Sequence, residues 1–401
     1  MILNHAAVFT GGHFQQLDVQ VQEGRVAALS ADLPMERDCT GLLLLPGLVD
    51  LHTHGCGGFD FDHAAGPQLR HMAETYLSHG VTTVLPTLMT GPAPEMLAAA
   101  ARCGEACGEV FAGLYLEGPF FGPEKKGAHR EDCLQPVSAA FLDALDAASG
   151  GRIRIAAIDP CLPGALELIA ARRDKRFSLA HTPADYDQAQ RAFAAGAKQV
   201  THLFNAMTGL HHRKPGLVGA ALAGSCFAEV ICDGVHIHPA VLKTAFAALG
   251  GRGLIISDSM AVCGLSDGQY ALGGQQVTVC GRRATLADGT IAGSVTFLWD
   301  GMARLHQAGV PLEQAVSAAT AVPARAAGLE ARCGSIAPGM PADLCLCTPE
   351  LRLLQVWKGG RPILPCWSFS KEPDLWNDPR PCASRSIMPP FRGLTAREAA
   401  P

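Results

Sequence analysis

Eight short apolar runs constrain the fold of this chain more than any other feature. Segments of helix composition, such as 95–106 and 184–195, lie between them. Strands that alternate with helices predict parallel βα units, and eight such units close a (β/α)8 barrel of the TIM type. A doubly wound sheet is the alternative arrangement. The eight runs are residues 46–54, 81–87, 110–117, 153–159, 176–181, 198–203, 228–233 and 253–258.

The two ends of the chain carry a different pattern. Residues 17–26 alternate polar and apolar side chains around a Glu-Gly turn, which predicts antiparallel strands. Similar composition returns at 334–347 and 354–360. We therefore predict a small β-sandwich domain formed by both ends (1–45 and 331–365), a barrel over 46–330 whose last helix is 315–329, and an irregular tail over 366–401.

Composition excludes several classes of function. The chain has 401 residues, a net charge of -5 and a pI of about 6.3, which argue against binding to nucleic acid or to a membrane surface. Its 15 cysteines are scattered and odd in number, and the N-terminus lacks a signal-peptide pattern. We expect a soluble cytoplasmic protein that acts on small molecules.

Side chains that bind metals follow several of the strand-like runs. In a barrel, the carboxyl ends of the strands surround one site, so these side chains are expected to converge there. Glu117, His181 and His202 supply the two imidazoles and one carboxylate typical of hydrolytic zinc sites. His52 and His54 are two positions apart and therefore point to one side of their strand. Taken singly, each histidine could equally be a buried structural residue.

Three further groups have two interpretations each. Asp258 follows the eighth run, where a carboxylate is either a helix cap or a general base that deprotonates water. Arg213 and Lys214 form either a solvated loop or an anion site, because Arg pairs with phosphate through two hydrogen bonds. His236 leaves the seventh run and is expected to face the same mouth of the barrel.

With these motifs in place, the chain resembles the amidohydrolase superfamily, and within it the deacetylases of amino-sugar phosphates. The superfamily motifs are PGLVDLHTH at 46–54 and GSIAPG at 334–339. The motifs specific to the deacetylases are LEGPF at 116–120, KKGAH at 125–129, THLFNAM at 201–207, DGVH at 233–236 and AGS at 292–294.

The resemblance implies specific roles for residues in and near these motifs. Glu117, His181 and His202 would hold the main metal, and the His52/His54 pair would hold a second one. Asp258 would be the acid/base, and His129 would polarise the substrate carbonyl. The expected metal is zinc, one or two ions per chain, with iron or manganese as alternatives. The substrate-binding residues would be Ala128, Asn205, Ala206, Arg213, His236, Ile291, Ala292 and Gly293, some of them from the second subunit of a homodimer.

The implied reaction is hydrolysis of N-acetylglucosamine 6-phosphate to glucosamine 6-phosphate and acetate. N-acetylgalactosamine 6-phosphate remains an alternative substrate, because the two sugars differ only at the 4-hydroxyl. Another amide hydrolase of the superfamily is a second alternative. Cyclic-amide hydrolases and phosphotriesterase-like enzymes are disfavoured, because the fourth run ends without the lysine that bridges their metals. A non-catalytic barrel would be expected to have lost some ligands, and none is missing.

Overall fold

The computed structural model describes residues 1–365 apart from 273–274, 286, 288 and 290, so the tail predicted for 366–401 lies outside it. The strands are β1 (Ile2–Thr10), β2 (His13–Gln22), β3 (Arg25–Ser30), β4 (Arg37–Asp38), β5 (Leu43–Pro46), β6 (Leu48–Thr53), β7 (Gly55–Cys56), β8 (Phe59–Asp60), β9 (Val81–Met89), β10 (Leu114–Glu117), β11 (Ile153–Ile158), β12 (Arg176–Leu179), β13 (Gln199–Val200), β14 (Phe227–Ile231), β15 (Gly253–Ile256), β16 (Gly268–Leu272), β17 (Gln275–Cys280), β18 (Arg283–Thr285), β19 (Ile291–Gly293), β20 (Leu344–Cys347), β21 (Leu353–Lys358) and β22 (Arg361–Ile363). The α-helices are α1 (Gly66–Ser78), α2 (Ala93–Glu105), α3 (Ala139–Ala148), α4 (Ala165–Ala171), α5 (Tyr186–Ala195), α6 (Gly216–Ala223), α7 (Pro239–Leu249), α8 (Leu298–Gln307), α9 (Leu312–Ala319) and α10 (Ala321–Ala327).

Eight parallel strands form a nearly closed barrel, in the order β6, β9, β10, β11, β12, β13, β14 and β15. The first and last strands meet near their carboxyl ends, where the amide of Asp258, just after β15, donates to the carbonyl of His52 in β6 at 2.9 Å. The amide of His54 donates in the same way to Ser259, at 2.8 Å. The (β/α)8 prediction is confirmed, and the doubly wound alternative is wrong.

Alternation along the strands separates two apolar clusters. In β11, Ile155 and Ala157 pack in the same cluster as Tyr115 of β10. Ile158 of the same strand belongs to another cluster, which includes helix residues such as Leu168. Because neighbouring strand residues point to opposite faces, one cluster fills the barrel and the other lies beneath the helices.

Both ends of the chain join one sheet, in the order β22, β21, β20, β5, β1, β2 and β3, with β4 paired to β1. The amide of Val26 in β3 donates to the carbonyl of Met340 at 2.9 Å, so the segment before β20 folds back over the far edge. The enclosed core includes Leu3, Leu44 and Trp357. The prediction of a small β domain built from both ends is confirmed.

Gly47 connects this sheet to the barrel. A Cβ atom there would lie 2.2 Å from the Thr82 hydroxyl oxygen, so only glycine fits between β5 and β6 without a shift. The connection from the terminal sheet into the barrel therefore passes close against the start of β9, which contains Thr82.

The last barrel helix and the segment between β15 and α8 both differ in detail from the prediction. The helix expected at 315–329 is divided into α9 and α10, because Thr320 between them has φ -133° and ψ -85°. Between β15 and α8 the chain forms an antiparallel sheet, β16 to β19, whose core includes Val277 and Val279. Among the described residues, no helix is both long and apolar enough to cross a membrane.

Candidate metal and catalytic site

The candidate site lies where the barrel strands end and the chain turns sharply. His181, His202 and Asp258 follow β12, β13 and β15, and their φ angles are 45°, 29° and 47°. Non-glycine residues rarely adopt positive φ, and such backbone is found most often at functional sites. The turn directs each of these side chains toward the barrel axis.

Glu117, at the end of β10, is the centre of the first group. Its Oε1 atom lies 3.1 Å from Nε2 of His181 and 3.1 Å from Nε2 of His202, and these two nitrogens are also 3.1 Å apart. Tetrahedral zinc with ligand bonds of about 2.0–2.1 Å separates its ligand atoms by about 3.3 Å. The sequence-predicted triad therefore has the spacing of a metal site.

A second group uses the other side of the same carboxylate. Oε2 of Glu117 lies 3.2 Å from Nε2 of His54, and Nε2 of His52 is 3.3 Å from Nε2 of His54. His52, His54 and Glu117 also lie close enough together to hold an ion. Glu117 thus belongs to both groups, with His54 nearest to its Oε2 atom and His52 nearest to its Oε1 atom, at 3.6 Å.

Asp258 lies beside the second group. Its Oδ1 atom is 3.2 Å from Nε2 of His54 and 3.7 Å from Nε2 of His52. Burial opposes ionisation of this carboxyl group, but hydrogen bonding to His54 and the charge of His52 outweigh it and lower its pKa. The Asp258 side chain therefore lies among the candidate metal ligands, within reach of the imidazoles of His54 and His52.

His129 approaches from the loop that follows β10. Its Nε2 atom lies 3.3 Å from Nε2 of His181 and 3.7 Å from Oε2 of Glu117. Together with these two residues it forms another set close enough to hold an ion. The position fits either a third imidazole ligand or a group that contacts the substrate carbonyl.

Two histidines have their tautomers fixed by partners outside the site. Nδ1 of His181 donates to the carbonyl of Lys125 at 2.9 Å, and Nδ1 of His52 donates to Oε2 of Glu229 at 2.9 Å. His181 therefore presents an unprotonated Nε2 to the centre, as a metal ligand must. In His52 the contact with Glu229 occupies Nδ1, so Nε2 is the nitrogen that faces the centre. Burial lowers the pKa of His181 to about 4, so this ring is neutral at physiological pH.

Glu229 is a buried carboxylate that the sequence analysis missed. It lies in β14 with a relative exposure of 0%, and it accepts hydrogen bonds from His52 and from the side-chain amide of Gln199. The signal in the sequence is a single charged residue within the apolar run Phe227–Ile231. Charged side chains are almost never fully buried unless they are paired, so this residue could have been singled out.

The residues expected to bind substrate lie in several loops. Asn205 and Ala206 follow His202, and the Asn205 side chain donates to the carbonyl of His202 at 3.2 Å. Ala128 is exposed beside Gly127, where an added Cβ would be 3.2 Å from the His181 ring. The loop carrying His129 thus passes directly over the metal-ligand candidates.

The remaining substrate candidates are further along the chain. Nδ1 of His236 donates to Asp233 at 2.6 Å, which raises the pKa of this histidine although burial opposes the change. Ile291 and Ala292 precede Gly293 in β19, and the next residue, Ser294, pairs with the segment after Asp258. Arg213 is exposed, and its guanidinium contacts His212.

The fold and this group of side chains define a metal-dependent hydrolase barrel. Residues 43–363 match the amidohydrolase family, and the chain belongs to that family. Members of the family depend on metals, in agreement with the imidazole and carboxylate groups gathered here.

Within this family, the chain is similar to deacetylases of amino-sugar phosphates. An N-acetylglucosamine-6-phosphate deacetylase from Vibrio furnissii is 36% identical over 327 residues, which cover 79% of this chain and 82% of that protein. An N-acetylgalactosamine-6-phosphate deacetylase from Escherichia coli O157:H7 is 35% identical over 363 residues, covering 87% and 95%. One similar structure is that of an N-acetyl-D-glucosamine-6-phosphate deacetylase mutant from Mycobacterium smegmatis in complex with N-acetyl-D-glucosamine-6-phosphate. It superimposes on this chain with a TM-score of 0.86 at 31% sequence identity, and the match covers 91% of this chain and 99% of that one.

Proposed function

We propose that the protein hydrolyses the acetamide of N-acetylglucosamine 6-phosphate, releasing glucosamine 6-phosphate and acetate. The observation that carries the proposal is the 3.1 Å convergence of His181 and His202 on Oε1 of Glu117, with Asp258 3.2 Å from His54 in the adjoining group. The deacetylases reported above act on N-acetylated sugar phosphates by their names, and they resemble this chain over most of its length.

The donor set fits a divalent ion, and zinc is the metal that we favour. Imidazole and carboxylate are its usual ligands in hydrolases, although iron and manganese accept the same groups. Glu117, His181 and His202 would hold one ion, and His52 and His54 would complete a second site through the shared carboxylate. Such an ion lowers the pKa of water toward about 7 and polarises a carbonyl group.

The protein side chains would move the protons. Asp258 accepts a proton from the attacking water and returns it to the departing nitrogen, since an amine leaves far more easily than its anion. Asp258 is ionised at neutral pH, in agreement with the lowered pKa of its carboxyl group. His129 would donate a hydrogen bond to the carbonyl oxygen as negative charge develops there.

The phosphate would be bound away from the metal-ligand candidates. His236 carries a raised pKa and is held by Asp233, so it can supply positive charge at the mouth of the barrel. Arg213 is exposed on its own subunit. We therefore assign it to the active site of the second subunit of a homodimer, where its fork of N–H groups would pair with phosphate oxygens. We also propose that the protein is located in the cytoplasm.

Steady-state assays on purified enzyme test the proposal. N-acetylglucosamine 6-phosphate and N-acetylgalactosamine 6-phosphate should be compared at equal metal loading, with release of acetate as the readout. We expect a higher kcat/KM for the glucosamine derivative. The opposite preference would favour the second candidate, which rests on the similarity to the galactosamine enzyme. Turnover of neither sugar would contradict the proposed function.

A further inference from the structure

Glu229 connects the two halves of the candidate metal centre. Its Oε2 atom accepts from Nδ1 of His52 at 2.9 Å and from the backbone amide of His202 at 3.3 Å. Its Oε1 atom accepts from the side-chain amide of Gln199. One carboxylate therefore contacts a candidate ligand of each ion, His52 by its ring and His202 by its backbone.

The contact with His52 determines which nitrogen faces the ions. Because Nδ1 donates its proton to Glu229, Nε2 is the nitrogen left to face the candidate metal site, 3.6 Å from Oε1 of Glu117. A carboxylate behind an imidazole also makes it a stronger base and fixes the plane of the ring. Tyr115 packs against the same ring, with centroids 4.7 Å apart, and so limits its tilt.

The other imidazoles of the site lack an equivalent partner. Within the described part of the chain, the buried Nδ1 atoms of His54, His129 and His202 have no hydrogen-bond partner. His181 has a neutral partner, the carbonyl of Lys125. An anionic partner is therefore associated with His52, on the side of the second ion.

We propose that Glu229 is a positioning residue that sets the affinity of the site formed by His52, His54 and Glu117. The proposal rests on the metal-dependent function proposed above, and it concerns the second ion. The contact with the His202 backbone orients the turn after β13 and does not involve the ligand atom. Loss of the charge at Glu229 should consequently weaken the second site much more than the first.

Zinc titration of metal-free protein tests this idea, with bound metal as the readout. The test variant is Glu229→Gln, which keeps the side-chain volume and an acceptor oxygen but removes the charge. The matched control is Gln199→Met, which removes a neighbour of the same carboxylate and leaves the His52 contact intact. Wild-type protein should bind two ions with distinct affinities.

We expect Glu229→Gln to raise the Kd of the weaker ion by about 10- to 100-fold, the usual effect of losing such a partner, while the tighter ion is retained. Gln199→Met should leave both affinities within about threefold of wild type, well below that effect. Unchanged affinities in Glu229→Gln, or equal losses in the two variants, would overturn the proposal.

Two further measurements keep the result interpretable. If Glu229→Gln did not fold, Glu229→Asp would serve instead, because it keeps the buried charge but withdraws it from His52. Acetate release by the wild-type enzyme is measured on the same preparations. A wild type that is active but binds one ion would refute the two-ion site, whereas an inactive wild type that binds two ions would refute only the proposed substrate.

Discussion

Replacing Asp258 by Asn separates proton transfer from structure at the centre of the site. Asp258 has a φ of 47°, and Asn is among the few residues that tolerate this conformation, so the backbone should be retained. An oxygen still faces His54 at the present 3.2 Å. We therefore expect the free energy of unfolding to change by only about 1 kcal/mol, the size of a typical hydrogen-bond contribution.

The effect on catalysis should be much larger. An amide cannot accept and return the proton, and loss of general acid/base catalysis lowers kcat by about 100- to 10,000-fold, or about 2.7–5.5 kcal/mol in activation free energy. Metal content, substrate affinity and single-turnover rate should be measured on one preparation, so that slow chemistry is distinguished from loss of metal.

A control variant and a clear limit complete this test. Asp185→Asn changes an exposed carboxylate that caps α5 by accepting the amide of Gln188 at 2.8 Å, so it should leave kcat nearly unchanged. Retention of more than about a tenth of wild-type kcat in Asp258→Asn would refute its assignment as the general base, because the loss would lie below the range for such groups.

Three other substitutions test the remaining assignments. Arg213→Ala should reduce kcat/KM for N-acetylglucosamine 6-phosphate far more than for N-acetylglucosamine, because it removes a charged contact remote from the amide; the exposed Arg191→Ala is the control, and equal losses on both sugars would argue against an anion site. The double variant His52→Asn/His54→Asn should bind fewer ions than wild type but keep one, as measured by elemental analysis; complete loss of metal would mean that this pair is the primary site. His129→Gln should keep its metal and lose about 100-fold or more in kcat, in line with removal of an oxyanion donor; loss of an ion instead would identify His129 as a ligand.

The positions of the barrel strands were the feature best predicted from the sequence. Each of the eight apolar runs overlaps a barrel strand, although the run 198–203 yields only Gln199–Val200. The strand ends early there because the chain turns at His202, whose φ of 29° is incompatible with a continuing strand. A backbone turn of this kind is set by tertiary contacts and leaves little trace in hydrophobic periodicity.

Convergence of the strand ends also made the candidate site predictable. Glu117, His181 and His202 are far apart in sequence, yet barrel topology alone brings their ligand atoms together. Glu229 escaped prediction because it lies within a strand and not at its end. The division of the last helix at Thr320 likewise depends on local backbone geometry that composition does not encode.

The sheet that joins both chain ends has a consequence for synthesis. β5 is hydrogen-bonded to β1 on one side and to β20 on the other, and about 300 residues separate β5 from β20. Because protein synthesis proceeds at about 5–20 residues per second, the edge of β5 that pairs with β20 would stay unpaired for about 15–60 s before β20 is synthesised. An open strand edge is a template for pairing with other chains. Nascent chains stalled or truncated before β20 should therefore depend on chaperones, even though all barrel strands have already been translated.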